Sequence, residues 1–273
     1  MTMNGPIWTR GMGPSMQGDT MVSKRVYFEG TDDNRLAGYL DLPVDSAPAA
    51  YALFAHCFTC TKNLKAVNYI SRALKREGIG VLRFDFTGLG ESEGDFSDTN
   101  FSSNVEDLVA AAKFLETEYR APGILIGHSL GGAAVLQAAT DIPSAIAVAT
   151  IGTPADPRHV RRHLLDSMED IQASGEAEVE LAGRRFKIKK QFLDDLDGVR
   201  MQATIKNLNR ALIIFHSPVD DTVGIENAAR IFQAALHPKS FISLDKADHL
   251  LMNAKDASYV GSMIAAWVRR YVT

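Results

Sequence analysis

Short apolar segments alternate along this chain with stretches that have helical periodicity. Continuous apolar runs such as YALFAH (51–56) and IGVLRFDF (79–86) are separated by segments whose apolar residues recur every three to four positions. Fully apolar runs are typical of strands that are covered on both faces, as in parallel sheets. The alternation therefore predicts an α/β fold with a mostly parallel central sheet flanked by helices. The first two strands, SKRVYFEG and RLAGYLDLP, alternate with period two and predict an antiparallel N-terminal hairpin.

The regular alternation lapses once, between residues 152 and 208. This polar stretch indicates helix in its first half and a hairpin turned at Ala182-Gly183 in its second half. About fifty irregular residues between two strands of such a domain predict an inserted cap over the carboxyl ends of the strands, where ligands bind in these sheets. The predicted core then comprises residues 23–151 and 209–273.

Composition narrows the class of protein further. The chain has 273 residues, 46% of them hydrophobic, which is enough for one sizeable core. A net charge of -4 without basic runs argues against nucleic acid as a partner. No segment approaches the roughly 18–20 apolar residues of a membrane span. Residues 1–22 contain no apolar block, so we expect a flexible leader rather than a secretory signal, and a cytoplasmic protein without membrane partners.

The most specific motif is G-x-S-x-G, formed by Gly127, Ser129 and Gly131 between an apolar strand and an Ala-rich helix. A tight strand-to-helix turn would hold Ser129 in a strained conformation, where side chains two positions on either side would collide. Glycine at both positions avoids this collision because it has no side chain. The alternative is a β–α turn whose serine only caps the helix. In this context the motif favours a nucleophilic serine above the sheet edge.

With this motif in place, the chain resembles the α/β-hydrolases, and in particular bacterial hydrolases that are sometimes joined to an OsmC-like domain. Further matches in the expected order are His56-Cys57-Phe58, residues 85–92 (DFTGLGES), residues 216–223 (HSPVDDTV) and Asp248-His249. Cys57 stands where many members have glycine. The resemblance implies an α/β-hydrolase fold over nearly everything from residue 23 onward. No OsmC-like domain is expected after Thr273.

A serine hydroxyl needs a base to take its proton and an acid to orient that base. This fold uses the order Ser, Asp, His. His249 is the predicted base, because it follows both Ser129 and a candidate acid and lies just past a late strand. Of the adjacent carboxylates Asp220 and Asp221, the family spacing selects Asp220 as the acid. Asp248 is expected to be structural, since neighbouring side chains diverge.

The other histidines receive non-catalytic interpretations. We expect His128 to point away from the nucleophile, His56 and His216 to be satisfied core residues, His159 and His163 to lie on a solvated helix, and His237 to lie at the surface. For the oxyanion hole, the geometry of the turn assigns one backbone donor to Leu130. The resemblance assigns the second donor to Phe58.

Cys57 and Cys60 form a CxxC pair directly after an apolar strand. A thioredoxin-like redox motif would open a helix. A zinc site would need two more ligands. We therefore expect reduced thiols beside a loop, which suits the cytoplasm.

These residues predict a serine carboxylesterase that hydrolyses short- to medium-chain acyl esters through an acyl-enzyme intermediate, with a small-molecule ester as its partner and without metal or organic cofactor. A peptidase, thioesterase or lyase on the same triad, and a non-catalytic redox accessory, remain alternatives, and a homo-oligomer is left open. Substrate choice is expected to depend on the insertion. Its apolar residues could roof an acyl pocket or could only pack the cap onto the core: Leu164, Leu165, Met168, Phe186, Ile188, Phe192 and Leu193.

Overall fold

The computed structural model describes residues 23–272 except residues 31, 32, 45, 59 and 182, so the predicted leader lies outside the described residues. Its strands are β1 Ser23–Glu29, β2 Arg35–Asp41, β3 Ala50–Ala55, β4 Ile79–Phe84, β5 Ile124–His128, β6 Ala147–Ile151, β7 Glu176–Leu181, β8 Arg184–Lys189, β9 Ala211–His216 and β10 Lys239–Ser243. Its α-helices are α1 Lys65–Arg76, α2 Phe101–Glu118, α3 Leu130–Ala138, α4 Met168–Ser174, α5 Lys190–Gly198, α6 Met201–Lys206, α7 Glu226–Ala234 and α8 Ala254–Val268.

Within the described residues, the central sheet has eight strands in the order β1-β2-β4-β3-β5-β6-β9-β10. Pairing is antiparallel from β1 through β2 to β4 and parallel from β4 through to β10. The predicted fold class, a mostly parallel sheet with an antiparallel N-terminal hairpin, is confirmed. In a parallel sheet the carboxyl ends of the strands meet at one edge, so the loops after β3, β5, β9 and β10 can share a site there.

Side chains that alternate along the strands fill two separate hydrophobic layers. In β3, Leu53 joins the layer that contains α2 and α3, whereas Phe54 joins the layer that contains α1 and α8. The helices bury matching apolar stripes, such as Val67, Ile70 and Leu74 on α1. Because both faces are covered, every residue of β3, β4 and β5 is buried, and most of these residues are apolar.

The start of α2 differs from expectation. In the sequence, the S-x-x-E spacing of Ser103 and Glu106 predicts a capping box there, but the helix begins at Phe101 with Asn100 as its cap. The side-chain oxygen of Asn100 accepts a hydrogen bond from the Ser103 N–H at 2.8 Å, and the Asn100 N–H donates to Ser103 Oγ at 2.9 Å. Serine thus takes the reciprocal role that glutamate or glutamine usually plays in this motif.

Residues 152–208 leave the central sheet after β6 and return to it at β9. They contain 3₁₀ turns at Pro157–His163 and Leu165–Ser167, then α4, the separate hairpin β7–β8, α5 and α6. The hairpin was predicted, although residue 182 of its turn lies outside the described residues; α5 and α6 were not predicted. The division into core and cap stays a prediction. Among the described residues, no helix is long and apolar enough to cross a membrane.

Candidate active site

Ser129 occupies the sharp turn between β5 and α3. Its backbone lies at φ 55° and ψ -127°, a region that side-chain-bearing residues rarely adopt. A Cβ atom at position 127 would lie 2.3 Å from the carbonyl oxygen of Gly131, and one at position 131 would lie 2.3 Å from the carbonyl oxygen of His56. Both glycines are therefore required by close backbone approach, as the motif predicted. The turn lifts the Ser129 side chain above the sheet edge.

The structure brings Ser129, His249 and Asp220 into one hydrogen-bonded row. Oγ of Ser129 lies 3.0 Å from Nε2 of His249, and Nδ1 of His249 lies 2.8 Å from Oδ2 of Asp220. Since the carboxylate can only accept, Nδ1 carries the proton and donates, which leaves Nε2 free to accept from the serine hydroxyl. Three loops that follow β5, β9 and β10 supply these residues, although up to 120 positions separate them in sequence.

Asp220 is held as an ionised carboxylate. Burial alone would raise its pKa, but the hydrogen bond from His249 and those from the backbone N–H groups of Val223 and Thr222 lower the pKa overall. The two backbone bonds reach Oδ1 at 2.8 and 3.0 Å. The competing Asp221 is exposed, and its carboxylate accepts from Thr222 Oγ1. Of the two adjacent aspartates, Asp220 is therefore the one that contacts His249, and its role as the catalytic acid stays a prediction.

His128 has a role that the sequence interpretation missed. It is buried, and its Nε2–H donates to the backbone carbonyl oxygen of His249 at 2.7 Å. Burial, and then the charge that His249 can carry, lower the pKa of His128 to about 3, so it is neutral at ordinary pH. His128 thus links the end of β5, next to Ser129, to the loop that carries His249. The sequence offered one signal for this role, because a polar side chain at the end of a buried strand needs a hydrogen-bond partner.

The remaining groups near the site have structural partners. His216 donates through Nε2 to the carbonyl oxygen of Val223 at 2.7 Å, and His56 donates through Nδ1 to that of Cys57 at 2.8 Å. Both are buried, as expected of core histidines, but the second ring nitrogen of each, Nδ1 of His216 and Nε2 of His56, has no hydrogen-bond partner among the described residues, so the expectation of satisfied histidines is met only in part. His237 is exposed, and Asp248 accepts from the N–H groups of residues 250 and 252. Within the described part of the chain, no three His, Cys, Asp or Glu residues are grouped so that they could hold a metal ion.

A cavity of about 250 Å³ opens beside Ser129 and His249. Its wall on the sheet side includes Cys57, Phe58, Cys60, Leu130, Thr222, Val223 and Leu250. Its opposite wall comes from residues 152–208 and includes Pro154, His159, Val160, His163 and Leu181. Both histidines lie on a 3₁₀ turn that borders the cavity. The expectation of a solvated helix is wrong for His159, which is partly buried and donates through Nε2 to the carbonyl oxygen of Thr222 at 2.9 Å, whereas His163 is exposed as expected.

The apolar residues of the insertion that were considered as a possible cover for the acyl pocket do not line the cavity. Of those seven residues, all of which the structure describes, none lines this cavity. Five are buried in the hydrophobic core, Met168 packs against it, and Leu165 is 67% exposed. The other alternative, in which these residues only pack the insertion onto the core, holds for six of the seven. Val160 and Leu181 face the cavity instead.

Comparison with known proteins identifies the family of this chain. The family described as the alpha/beta hydrolase family matches residues 52–271. The chain belongs to this family. The esterase domain of a Rhodothermus marinus protein is similar to this α/β-hydrolase, with 57% identity, coverage of 92% of this chain and 99% of that chain, and a TM-score of 0.76.

More distant relatives share the fold. Est1E of Butyrivibrio proteoclasticus, solved with ferulic acid bound, is 19% identical over 89% of this chain and 98% of its own, with a TM-score of 0.78. The mitochondrial palmitoyl-protein thioesterase ABHD10 of Mus musculus is 24% identical and matches 71% of this chain and 66% of its own length. Resemblance to hydrolases joined to an OsmC-like domain stays a prediction.

In this α/β-hydrolase the two residues predicted to supply the oxyanion hole both border the cavity. Leu130 is the first residue of α3, where backbone N–H groups have no partner within the helix. Phe58 lies in the loop after β3, and its ring packs against the rings of Phe96 and Phe192 at centroid distances of 5.3 and 5.1 Å. The assignment of their amides to an oxyanion stays a prediction.

The loop after β3 contains a disulfide between Cys57 and Cys60. The expectation of reduced thiols is therefore wrong. The two Cα atoms are 5.3 Å apart, within the range that a disulfide spans, because the chain turns back on itself between them. The Cys60 N–H donates to the carbonyl oxygen of Cys57 at 3.1 Å within this turn. Sequence spacing alone did not distinguish this bonded pair from free thiols.

A buried charge network holds the far end of the same loop. The side chain of Lys62 is fully buried, and its Nζ donates to Asp85 and, at 2.7 Å, to Glu91. The Lys62 N–H donates to Asp85 Oδ1 at 2.7 Å, and Arg83 donates to the Lys62 carbonyl oxygen at 2.7 Å. A Cβ atom at Gly90 would lie 2.1 Å from the Asp85 carboxylate, so the glycine-rich loop closes tightly over it.

Proposed function

We propose that this α/β-hydrolase is a serine carboxylesterase that cleaves short- to medium-chain acyl esters through an acyl-enzyme intermediate. The observation that carries the proposal is the row Ser129–His249–Asp220, with distances of 3.0 and 2.8 Å, opening into an apolar cavity. The 57% identity to an esterase domain supports the same reaction class.

In the first half-reaction Oγ of Ser129 attacks the ester carbonyl carbon while Nε2 of His249 takes its proton. Ionised Asp220 stabilises the imidazolium that forms. The amides of Leu130 and Phe58 donate to the oxyanion, and the positive end of α3 adds to this stabilisation. His249 then gives the proton to the leaving alkoxide oxygen, and the acyl group stays on Ser129.

In the second half-reaction water replaces the alcohol. His249 takes a proton from the water as its oxygen attacks the acyl carbonyl, and the same amides hold the second oxyanion. Collapse of this intermediate returns the proton to Oγ of Ser129 and releases the acid. His249 therefore acts as a general base at the start of each half-reaction and as a general acid at its end.

The size and chemistry of the cavity support the substrate class. Its volume of about 250 Å³ is at or below the lower end of the range of about 300–1,000 Å³ that is usual for ligand pockets. Apolar side chains such as Phe58, Val160 and Leu181 contribute much of the wall. A short aliphatic or small aromatic acyl group fits such a space, whereas a long lipid chain would have to leave it.

A p-nitrophenyl ester series from acetate to palmitate tests the proposal, together with labelling by a fluorophosphonate. We expect kcat/KM to peak at a short or medium chain, and Ser129→Ala to abolish labelling and to lower kcat by about 10⁵–10⁶-fold. Asp221→Asn is the matched control, since that carboxylate does not contact His249, and should keep wild-type turnover. Turnover that survives Ser129→Ala would overturn the proposal, and a peak at palmitate would overturn the chain length.

Thioester hydrolysis is a second candidate, favoured by the 24% identity to a palmitoyl-protein thioesterase. The triad attacks a thioester carbonyl as it attacks an ester, and the leaving thiolate needs less help from His249. A matched pair of butyryl substrates, one oxygen ester and one thioester with the same acyl group, separates the two activities. A kcat/KM for the thioester that exceeds that for the ester by more than tenfold would favour the second candidate.

A further inference from the structure

We propose that the Cys57–Cys60 disulfide is a positioning element for the oxyanion hole and that its reduction lowers kcat. The inference rests on the proposed function, because it assigns an oxyanion donor to Phe58. Phe58 lies inside the four-residue ring of chain that the disulfide closes. In this proposal the CxxC pair acts through the position of the Phe58 amide and does not itself contact the reacting atoms.

The position of the pair supports this role. Both cysteines and Phe58 border the cavity that contains Ser129. Cys57 is 7% exposed, and Cys60 is partly exposed, so a small dithiol can reach the bond from the cavity. The bond therefore lies where its state can affect both the loop and the reacting groups.

The two flanks of the loop are fixed by other contacts. Upstream, β3 is hydrogen-bonded into the sheet up to Ala55, beside β5. Downstream, Lys62 is held through its backbone N–H and Nζ by Asp85. Between these anchors, the disulfide and the Cys60 N–H bond to Cys57 restrict the backbone around Phe58. Removing the covalent restraint therefore frees the segment that carries the proposed donor while its flanks stay in place.

An oxyanion donor must lie about 2.7–3.1 Å from the developing charge, and loss of one donor typically costs about 10²–10³-fold in rate. A donor that is correctly placed for only part of the time costs less than this full loss. We therefore expect reduction to lower kcat by about tenfold. KM should change by less than about twofold, because the donor acts mainly in the transition state.

The chemical step is thiol–disulfide exchange with a dithiol reductant such as dithiothreitol. One reductant thiolate attacks a sulfur of the Cys57–Cys60 bond, and this bond breaks as a mixed disulfide forms. The second reductant thiolate then displaces the protein sulfur. Two electrons and two protons pass to the protein, which ends with two thiols, and the reductant ends as its cyclic disulfide. An added disulfide such as oxidised glutathione reverses the change.

The test measures butyrate ester kinetics on the full chain before reduction, after reduction and after reoxidation, with the thiol count checked by mass spectrometry. A trifluoromethyl ketone forms a tetrahedral adduct with Ser129 and reports on the oxyanion hole directly. Its affinity should fall in parallel with kcat and recover on reoxidation. The variant Cys57→Ala/Cys60→Ala should show the reduced-state kcat and should not respond to either reagent. Circular dichroism monitors the fold in each state.

Several outcomes would overturn the inference. They are an unchanged kcat in protein shown to carry two thiols, a change confined to KM, a loss of activity that tracks unfolding, and thiols that cannot be reoxidised. Failure of the proposed function looks different. In that case Ser129→Ala would keep its turnover, or fluorophosphonate would not label even the oxidised protein.

Discussion

The two walls of the cavity are built in different ways. On the sheet side, Ser129, Asp220 and His249 lie in the loops that follow β5, β9 and β10, and hydrogen bonds of 2.7–3.0 Å fix them to one another, to His128 and to the backbone of Val223. On the other side, Val160 on a 3₁₀ turn and Leu181 on the small hairpin contribute apolar surface. We therefore expect the sheet wall to determine whether a substrate is cleaved, and the inserted wall to determine which substrate is preferred.

The largest effect is expected on the sheet wall at Asp220. Asp220→Asn should lower kcat by about 10⁴-fold, because an amide can hold His249 in the wrong tautomer and cannot stabilise its imidazolium. Ester kinetics at neutral pH measure this effect, and Asp221→Asn should behave like the wild type. A loss below tenfold for Asp220→Asn would show that another group orients His249.

The next effect concerns His128, which acts through His249. His128→Ala removes the 2.7 Å bond to the His249 carbonyl and leaves a small void, so we expect kcat to fall by about 10–100-fold. His128→Gln retains an N–H donor and should recover part of this loss. Because His128 does not contact substrate, KM should change little. A variant with altered KM and normal kcat would assign His128 to substrate binding instead.

The pH dependence of the free energy of unfolding should also differ between variants of the sheet wall and variants of the inserted wall. The folded pKa of His128, about 3, lies below the 6.5 of an exposed imidazole. Between these values the unfolded chain binds a proton that the folded chain does not, so stability falls as pH decreases through this window, by up to about 1.4 kcal/mol per pH unit.

Urea unfolding of wild type and His128→Gln between pH 7 and pH 4 measures this contribution, and the variant should have the shallower slope. His163→Gln is the comparison on the inserted wall. Burial first, and then nearby positive groups, lower the pKa of His163 too, but its side chain is exposed, so its substitution should change the slope less. Equal slopes for wild type and His128→Gln would contradict the expectation.

The smallest effect is expected on the inserted wall at Leu181. Leu181→Ala enlarges the cavity and should raise KM for the butyrate ester several-fold while moving the chain-length optimum upward, since a methylene in an apolar pocket contributes about 1–3 kcal/mol. Leu165→Ala in the same segment is the control, because Leu165 is 67% exposed and lies outside the cavity. A fall in kcat without any shift in the optimum would break the assignment of selectivity to this wall.

The sheet wall was partly predictable from sequence, because the turn at Ser129 is a local constraint and the family resemblance supplied the spacing that selected Asp220. Glycine at 127 and 131 reports a close backbone approach, and the order of Ser129, Asp220 and His249 reflects the order of the strands. The inserted wall was less predictable, since 3₁₀ turns have no long period that reveals which residues face the cavity. The apolar residues of this segment mostly satisfy the core, and Val160 and Leu181 cannot be distinguished from them by residue type.

Two further features escaped prediction for physical reasons of their own. The bond between Cys57 and Cys60 depends on a turn that brings the Cα atoms to 5.3 Å, and a CxxC spacing is compatible with both bonded and free sulfur atoms. The bond from His128 to His249 joins residues 121 positions apart. Only the packing of β5 beside the loop after β10 reveals it.

The position of β10 at the edge of the sheet has a consequence for inactivation. Among the described strands, this short strand pairs with β9 alone, and it leads into the loop that carries His249. Ser129 instead follows β5, which lies three places further into the sheet. Fraying of the outermost strand by heat or denaturant would carry the imidazole away while the nucleophile kept its place. Turnover should then be lost at a lower temperature or denaturant concentration than global unfolding. The hydrogen bond from His128 to the His249 carbonyl oxygen would determine how far apart the two transitions lie.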